Sequence, residues 1–292
     1  MGRDRIRNGV AGHPARPVKA YRNPEFLESR NARMVRIMCE YLEPLSRLSK
    51  LKIYDTVVMF GSSRARPMAE ARPEYDRAVA QLRESRGSRK DFEAKVEKLR
   101  GDVELARYYE EAAELSERLS RWAKTIGPGR RFVVASGGGP GIMEAANRGA
   151  TERAGWISAG YSISLPMEEK PNRFISPELA FEFHYFFMRK FWFVYLASAV
   201  VIFPGGYGTM DELFEVLTLC YTRKIHRPLP LILYGRKYWD EVINFKAMVK
   251  WGVISPEALN LFHVCDTPDE AFAYLKGELL RHYRRPSLRA AP

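Results

Sequence analysis

A glycine-rich segment at residues 204–212, with the sequence PGGYGTMDE, carries the residue types best suited to chemistry. It separates an apolar run at 199–203 from an amphipathic stretch at 213–221, which is the pattern of a buried strand that turns into a helix. Glycines let the backbone approach a ligand closely, and the unpaired N–H groups and dipole of a helix N-terminus attract anions. We therefore predict a phosphate-binding loop beside the carboxylate of Glu212. The predicted loop residues are Gly205, Gly206, Tyr207, Gly208 and Thr209.

A second glycine-rich turn lies upstream, at residues 137–141. It follows a short apolar strand at 132–136 and precedes a stretch with the pattern of a helix. The carboxyl ends of parallel strands face one crevice, so both glycine turns can contact one nucleotide-sized anion from two sides. A third small-residue turn, which includes Ser62, ends the first predicted strand at 56–60. The nucleotide contacts predicted from these turns are Ser62, Gly137, Gly138, Gly139 and Gly141.

Each of these features also has a structural explanation that the sequence leaves open. Thr209 and Glu212 have the spacing of a capping box, in which the threonine caps a helix and the glutamate bonds back to the N-cap N–H. The 137–141 turn can equally serve the close packing of a helix on a strand. For Met143 and Asn147, in the helix that follows, packing is a simpler expectation than ligand contact.

Other cofactor chemistries find little support. Counted from Gly137 or from Gly139, the dinucleotide-binding pattern G-x-G-x-x-G ends on Ile142 or Glu144 instead of a glycine. No lysine with an acidic partner is indicated for pyridoxal chemistry. The five histidines and three cysteines are dispersed, which argues against a metal site and against a disulfide framework. We therefore expect a protein that uses no cofactor and no metal.

Short apolar strands alternate with amphipathic helices between residues 51 and 283, and these elements must position the turns. The alternation is typical of an α/β fold with a doubly wound, Rossmann-like parallel sheet flanked by helices. We expect a single nucleotide-binding catalytic domain over 51–283, with an N-terminal helical extension at 24–50. Within the domain, residues 65–103 are predicted to form a charged helical excursion, punctuated by Gly101 and followed by a long helix at 104–125.

Basic residues are concentrated near both ends of the 292-residue chain, whose formal net charge is +12. We predict a flexible basic arm at 1–23 and a basic tail at 284–292, and we do not favour a nucleic-acid partner, because no recognition motif accompanies the charge. The longest apolar run, 191–203, has 13 residues and is too short to span a bilayer. The N-terminus lacks the apolar core of a secretory signal. We therefore expect a cytoplasmic protein with no membrane partner.

Three segments resemble the Lonely guy family of phosphoribohydrolases, long labelled "lysine decarboxylase-like" proteins. They are SGGGPGIMEAANRGA at 136–150, the pair Arg189-Lys190, and PGGYGTMDE at 204–212. The family's loop pattern PGGxGTxxE is matched at every fixed position, and Arg189 lies 23 residues upstream of Glu212. Plant-type members have Met-His-Glu before the arginine. This chain has Phe-Phe-Met, ending at Met188, which resembles the longer bacterial branch.

The resemblance implies hydrolysis of the N-glycosidic bond of a purine-type nucleoside 5′-monophosphate, either AMP or a cytokinin riboside 5′-monophosphate, to a free base and ribose 5-phosphate. It also implies that Arg189 and Glu212 are catalytic. A carboxylate near C1′ stabilises the positive charge that builds on the ribose as the bond breaks. The predicted nucleotide contacts further include Met188, Lys190 and Glu215, although Lys190 and Glu215 can also be ordinary solvated helix residues.

Two other functions remain open for this chain. One is a non-catalytic nucleotide-binding or phospho-ligand carrier protein, since fold does not dictate function. Glu212 argues against this alternative, because a carboxylate does not help to bind an anion. The other is nucleic-acid binding by the basic ends. We also expect a homodimer or a larger homo-oligomer, because the apolar content of 24–50 and 186–196 exceeds what one domain face needs.

Overall fold

A computed structural model describes residues 17–84, 89–127, 129–164 and 170–283. The predicted basic tail and most of the predicted basic arm lie outside these residues. The chain divides into two compact units, residues 1–42 and 43–292. Across the described ranges, no helix combines the length and the apolar character that crossing a membrane requires.

The described part of the first unit contains a short helix, α1 (Pro24–Glu28), and the beginning of α2 (Arg33–Lys50). The prediction of one continuous helix over 24–50 is wrong, because Ser29 adopts an extended backbone and separates α1 from α2. The Arg36 guanidinium donates to two carbonyl oxygens at this break, one of them that of Ser29 at 2.7 Å. These bonds stabilise the interruption.

A sheet of seven parallel strands forms the centre of the second unit. In chain order the strands are β1 (Thr56–Phe60), β2 (Val133–Ser136), β3 (Ser158–Ile163), β4 (Ala180–Phe183), β5 (Ala197–Ile202), β6 (Leu231–Tyr234) and β7 (His263–Cys265). Their order across the sheet is β4-β3-β2-β1-β5-β6-β7. Every residue of β1, β2, β5 and β6 is buried, as expected for parallel strands covered on both faces. The predicted doubly wound α/β fold is confirmed.

Helices connect these strands and cover the sheet. Within the described residues they are α3 (Met68–Glu84), α4 (Arg89–Ala123), α5 (Ile142–Arg148), α6 (Phe186–Tyr195), α7 (Tyr207–Tyr221), α8 (Arg236–Val242), α9 (Phe245–Lys250) and α10 (Pro268–Tyr283). A π-helical turn (Gly149–Arg153) extends α5. The predicted alternation of strands and helices therefore holds through this unit.

Helix α4 corrects the prediction for 65–103 and 104–125. Helix α3 and the first part of α4 make the described part of 65–103 mainly helical, as predicted, but α4 is one helix of 35 residues that runs through Gly101, so the predicted boundary between 103 and 104 is wrong. The buried residues Leu99 and Ala106 lie on either side of Gly101, so the apolar face of the helix continues across the glycine. An exposed glycine in a helix costs only about 1 kcal/mol, which this packing outweighs.

The strand order reverses between β1 and β5. From β1 the sheet extends through β2, β3 and β4 on one side, and β5, β6 and β7 follow on the other side. The loops that leave the carboxyl ends of β1 and β5 therefore diverge, and a crevice opens between them, as in other doubly wound sheets. The three turns predicted from the sequence follow β1, β2 and β5, so all three border this crevice.

A buried ion pair joins the opposite, amino ends of the central strands. Arg131 Nε, just before β2, donates to the carboxylate of Asp55, just before β1. Ser198, near the start of β5, donates to the same carboxylate at 3.0 Å. One hydrogen-bonded carboxylate thus aligns three neighbouring strands at the end of the sheet away from the glycine turns.

Candidate active site

A cleft of about 750 Å³ lies where the strand order reverses. Each of the three predicted turns contributes to its wall, through residues 61–64 after β1, Gly137 after β2 and residues 205–210 after β5. Side chains from five helices complete the wall: Leu105 (α4), Met143 (α5), Arg189 and Phe193 (α6), Glu212 (α7), Tyr238 and Val242 (α8). The fold therefore brings the separately predicted turns, Arg189 and Glu212 to one place.

The loop after β5 leads directly into α7, which begins at Tyr207 with Gly206 as its N-cap residue. This N-cap makes no side-chain hydrogen bond to the first turn, whose N–H groups also have no partners within the helix. A Cβ atom added at Gly206 or at Gly208 would meet no protein atom within 4 Å. Packing alone therefore does not require glycine at these two positions, and the space in front of the helix N-terminus is open.

Gly205, in contrast, is tightly enclosed. A Cβ atom there would collide with the side chain of Thr209 and lie 2.9 Å from the backbone nitrogen of Ser62. The Ser62 N–H donates to the carbonyl of Pro204 at 2.9 Å, which joins the turns after β1 and β5. The Tyr238 hydroxyl donates to the carbonyl of Gly205 at 2.5 Å. Protein contacts therefore fix the loop at Gly205, whereas the space next to Gly206 and Gly208 is empty of protein atoms.

The capping-box alternative for Thr209 and Glu212 is wrong. Because α7 begins at Tyr207, Thr209 lies inside the first helical turn and is not the N-cap residue. Glu212 lines the cleft, with only 5% of its surface exposed to solvent. A buried carboxyl group in a cleft wall is available to a ligand, whereas a capping glutamate is occupied by backbone N–H groups.

Glu212 and Arg189 face each other in the cleft wall, with 3.7 Å between Glu212 Oε1 and Arg189 Nη2. Burial raises the pKa of Glu212 to about 7, although the positive charges of Lys190 and Arg189 oppose this rise. The carboxylates of Glu215 and Asp211 add to it. At neutral pH the Glu212 carboxyl therefore exists in both protonated and ionised forms, which suits a group that accepts and returns a proton.

The Arg189 side chain is largely enclosed. Its guanidinium lies 4.9 Å from the ring centre of Phe186 and 5.5 Å from that of Phe193, close enough for cation–π attraction. Burial lowers the pKa of Arg189 and the charges of Glu212 and Asp211 oppose this, but an arginine remains protonated. The buried Nε has no hydrogen-bond partner among the described residues. Arg189 thus retains one unused donor.

Lys190 and Glu215 lie beside the cleft and do not line it. Lys190 Nζ is 2.8 Å from Asp211 Oδ2 and 3.1 Å from Glu215 Oε2. Burial alone would lower the pKa of Lys190, but hydrogen bonds to both carboxylates raise it. Met188 is buried and is likewise not part of the cleft wall. The nucleotide contacts predicted for Met188, Lys190 and Glu215 therefore have no support in this geometry.

Of the second glycine turn, only Gly137 reaches the cleft. Gly138 and Gly141 have φ angles of 76° and 73°, in the region that favours glycine. A Cβ atom at Gly141 would also collide with the backbone of the turn after β1. Backbone conformation and packing therefore account for Gly138 and Gly141. The nucleotide contacts predicted for Gly138, Gly139 and Gly141 are not reproduced by the cleft wall.

Asn147 holds the second glycine turn in place. Its buried side chain accepts a hydrogen bond from Ser136 Oγ at 2.7 Å and donates one to Ser158 Oγ at 2.6 Å. Asn172 Nδ2 donates to Asn147 Oδ1 at 2.9 Å and to the carbonyl of Gly138 at 3.0 Å. This network connects the turn to β2 and β3, so Asn147 is a packing residue, in line with the simpler expectation.

Sequence reasoning missed several residues of the cleft wall: Arg64, Leu105, Phe193, Tyr238 and Val242. It also expected Met143 to be a packing residue, yet Met143 lines the cleft. Arg64 and Tyr238 follow the carboxyl ends of β1 and β6, and that position was an available signal, because parallel strands end at one edge. Leu105 and Phe193 lie inside helices, and nothing in the sequence marks them as residues of the cleft wall.

The reversed strand order, the cleft at that point and the open helix N-terminus define a Rossmann-like α/β protein with a ligand-type cleft. Among the described residues, no three His, Cys, Asp or Glu side chains are close enough together to hold a metal ion. A family model described as "Possible lysine decarboxylase" matches residues 143–275. This match covers a little under half of the chain, and it agrees with the curated relatives named below and with the motifs that resemble the Lonely guy family.

Two curated relatives are plant proteins. A "probable cytokinin riboside 5′-monophosphate phosphoribohydrolase" of Oryza sativa subsp. japonica is 32% identical over 81 residues, which cover 27% of this chain and 32% of the relative. The cytokinin riboside 5′-monophosphate phosphoribohydrolase of Arabidopsis thaliana is 31% identical over 87 residues, which cover 30% of this chain and 40% of the relative. The match thus spans less than half the length of either relative.

Solved structures with a similar chain path include a molybdenum cofactor binding protein from Rippkaea orientalis. It aligns with a TM-score of 0.46 and 15% sequence identity, over 76% of this chain and 96% of that chain. The molybdenum cofactor carrier protein of Chlamydomonas reinhardtii aligns with a TM-score of 0.43 and 16% identity, over 77% of this chain and 98% of that one.

Proposed function

We propose that this protein hydrolyses the N-glycosidic bond of a purine-type nucleoside 5′-monophosphate and releases a free base and ribose 5-phosphate. The observation that carries the proposal is Glu212, a buried carboxyl with a pKa of about 7 in the same cleft as an open helix N-terminus. A protein that only binds an anion gains nothing from a carboxylate there. The names of the relatives, cytokinin riboside 5′-monophosphate phosphoribohydrolases, agree with this reaction.

In this proposal the 5′-phosphate binds at the N-terminus of α7. The backbone N–H groups of Gly206, Tyr207, Gly208 and Thr209 are the expected donors, together with the helix dipole. The open space in front of Gly206 and Gly208 lets a phosphate approach without meeting a side chain. Because the phosphate supplies the anchoring energy, a nucleoside without it should be a poor substrate.

Glu212 follows the phosphate-binding turn by one helical turn and is the proposed acid–base group. In its ionised form it takes a proton from a water molecule, whose oxygen forms a bond to C1′. The C1′–N bond breaks, its electron pair goes to the base, and the proton held by Glu212 passes to the base. The ionised carboxylate also stabilises the positive charge that develops on the ribose. A pKa of about 7 lets one group accept and return this proton at neutral pH.

Arg189 is proposed to hold the carboxylate and the sugar. Its guanidinium lies 3.7 Å from Glu212, so its charge favours the ionised carboxylate. Its unpaired Nε can donate to an oxygen of the substrate, which would satisfy a buried donor. Arg189 is not a general acid in this scheme, because an arginine stays protonated.

Chromatographic detection of free base tests the proposal. The purified protein is incubated with AMP, with a cytokinin riboside 5′-monophosphate and with adenosine, and we expect base release from the monophosphates only. Glu212→Gln should lower kcat at least about 100-fold while AMP binding remains measurable. Glu178→Gln changes an exposed glutamate outside the cleft and should leave kcat unchanged.

Two outcomes would contradict the proposal in different ways. Tight AMP binding by the wild-type protein without release of any base would favour the alternative, a non-catalytic nucleotide-binding or carrier protein. Full activity of Glu212→Gln would agree with the proposed reaction but contradict the proposed role of Glu212. Calorimetry with AMP on both proteins separates loss of binding from loss of chemistry.

A further inference from the structure

A second cleft, of about 540 Å³, lies between the loop after β1 and helices α3 and α4. Arg64 lines both this cleft and the main one, so the two clefts share part of a wall. The other charged residues that line it are Arg66, Glu74, Lys95, Lys98 and Asp102. The reaction proposed above uses none of them.

Arg66 is satisfied within the protein. It donates to both carboxylate oxygens of Glu74, at 3.0 and 2.9 Å, and lies 3.7 Å from Asp102. The hydrogen bond to Glu74 raises the pKa of Arg66. Arg66 is therefore paired with carboxylates and is not free to bind an anion, and the four basic and two acidic residues that line the second cleft carry a net charge of +2.

Arg64, Lys95 and Lys98 differ from the cations around them. Their side chains are exposed, and none of the three forms an ion pair with a residue in the described ranges. Arg100, on the same helix as the two lysines, pairs with Glu97 at 2.6 Å. Three basic side chains without an ion-pair partner among the described residues therefore line the second cleft.

The two lysines lie on the face of α4 that also reaches the main cleft. Lys95, Lys98 and Leu105 are separated by three and seven residues, which correspond to about one and two helical turns. Leu105 lines the main cleft, and the lysines line the second cleft. At the rise of an α-helix, Lys98 lies about 10 Å from Leu105 along the helix axis. One extended small molecule can therefore span both clefts.

We propose, building on the function proposed above, that Arg64, Lys95 and Lys98 bind a second phosphate group of a nucleotide whose 5′-phosphate end occupies the main cleft. Arginine and lysine side chains are the usual protein partners of phosphate groups. The ligand class is a nucleotide with a further phosphate away from its 5′ end, such as a 3′,5′-bisphosphate or a 5′-phosphorylated dinucleotide. Because the three side chains are exposed, salt weakens this contact.

Calorimetric binding at low ionic strength tests this subsite. The probes are AMP, adenosine 3′,5′-bisphosphate and the dinucleotide pApA, and the protein carries Glu212→Gln so that no probe is consumed. We expect at least one of the two larger probes to bind about five- to tenfold more tightly than AMP. High salt should remove the difference.

Matched charge variants show whether the named residues are responsible. The double variant Lys95→Gln/Lys98→Gln should lose the preference for the second phosphate and keep the affinity for AMP. Lys246→Gln/Lys250→Gln removes two exposed lysines of α9 that line neither cleft, so it should change neither affinity. Two results would overturn the subsite. One is equal affinity of all three probes for the protein with both lysines present. The other is a preference for the larger probes that survives in the Lys95/Lys98 variant.

The outcome for the subsite is separate from the outcome for the reaction. Release of base from AMP by the wild-type protein, with no gain in affinity from a second phosphate, would keep the reaction and refute the subsite. A lysine-dependent gain in affinity without any base release would refute the reaction and keep the subsite.

Discussion

Lys190 Nζ lies 2.8 Å from Asp211 Oδ2, and this contact joins α6 to α7 next to the proposed catalytic pair. The same lysine also contacts Glu215, at 3.1 Å. Two residues adjacent in sequence therefore have different surroundings, because Arg189 lines the cleft while Lys190 forms ion pairs with the two carboxylates on either side of Glu212 along α7. Lys190 does not line the cleft, but its positive charge opposes the rise in the pKa of Glu212.

Replacing Lys190 with methionine should raise the pKa of Glu212. Asp211 and Glu215 would lose their compensating charge, while burial would still disfavour the ionised carboxyl. We expect the rising limb of kcat against pH to shift upward by about one pH unit. Lys190→Arg keeps the charge and should restore the wild-type profile. A profile that Lys190→Met leaves unchanged would show that this lysine does not tune Glu212.

The Glu212→Gln variant should gain stability over the wild-type protein as the pH rises. Glutamate has a pKa of 4.5 without perturbation, and burial in the folded protein raises it to about 7. Below pH 4.5 the carboxyl is neutral in both states and costs nothing. Between pH 4.5 and pH 7 the carboxyl is ionised in the unfolded chain but resists ionisation in the folded protein, so the wild-type protein loses stability. Above pH 7 this loss reaches its full value of about 3 kcal/mol in the free energy of unfolding.

Urea unfolding of both proteins over this pH range measures the difference in the free energy of unfolding. The Gln variant should match the wild type at the acid end and exceed it at the alkaline end, because the glutamine has no charge to bury. The exposed Glu178→Gln variant is the control and should follow the wild type throughout. A constant gap between Glu212→Gln and the wild type would contradict the raised pKa.

Gly208→Ala should weaken substrate binding without weakening the fold. The added methyl group meets no protein atom within 4 Å, and alanine favours a helix by about 1 kcal/mol over glycine. In the proposed function the same methyl group stands in the phosphate's path, so KM should rise about tenfold or more. Gly101→Ala is the matched control in open space on α4, where stability should rise and KM should stay unchanged.

Gly205→Ala should act in the opposite way. Its methyl group would collide with Thr209 and approach the backbone of Ser62, so the loop must shift. We expect a loss of about 1–3 kcal/mol in the free energy of unfolding, measured by urea. A wild-type unfolding curve for this variant would mean that the loop is looser than its contacts indicate.

Tyr238→Phe should loosen the phosphate loop while leaving the proposed chemistry in place. The hydroxyl donates to the carbonyl of Gly205, and its loss removes a hydrogen bond worth about 1 kcal/mol. We expect KM to rise severalfold with little change in kcat, because Glu212 and Arg189 keep their positions. Steady-state kinetics measure both constants. A fall in kcat at constant KM would instead assign the hydroxyl to the chemical step.

Local rules were enough to predict most of the elements and the main candidate residues. Burial periodicity marks the short strands, and the glycines at 137–141 and 205–208 mark the turns, because both signals depend on neighbours in sequence. The parallel α/β sheet follows from the alternation of these elements. The motif resemblance then singled out Arg189 and Glu212 among many charged residues.

Other properties depended on residues that are distant in sequence. Helix α7 begins at Tyr207, which rules out the capping box, and the loop before it bonds to Ser62 and Tyr238, which are far away in sequence. The continuation of α4 through Gly101 depends on the core that it covers.

The sequence by itself determined the sheet class, the glycine turns and the identity of the acidic and basic candidates, because these follow from local conformation and residue type. Only the tertiary structure decided that Arg189 enters the cleft while Lys190 pairs with Asp211, and that Glu212 is buried with a raised pKa. Burial and charge pairing depend on which helices pack together. That packing is set by the strand order, which no local pattern encodes.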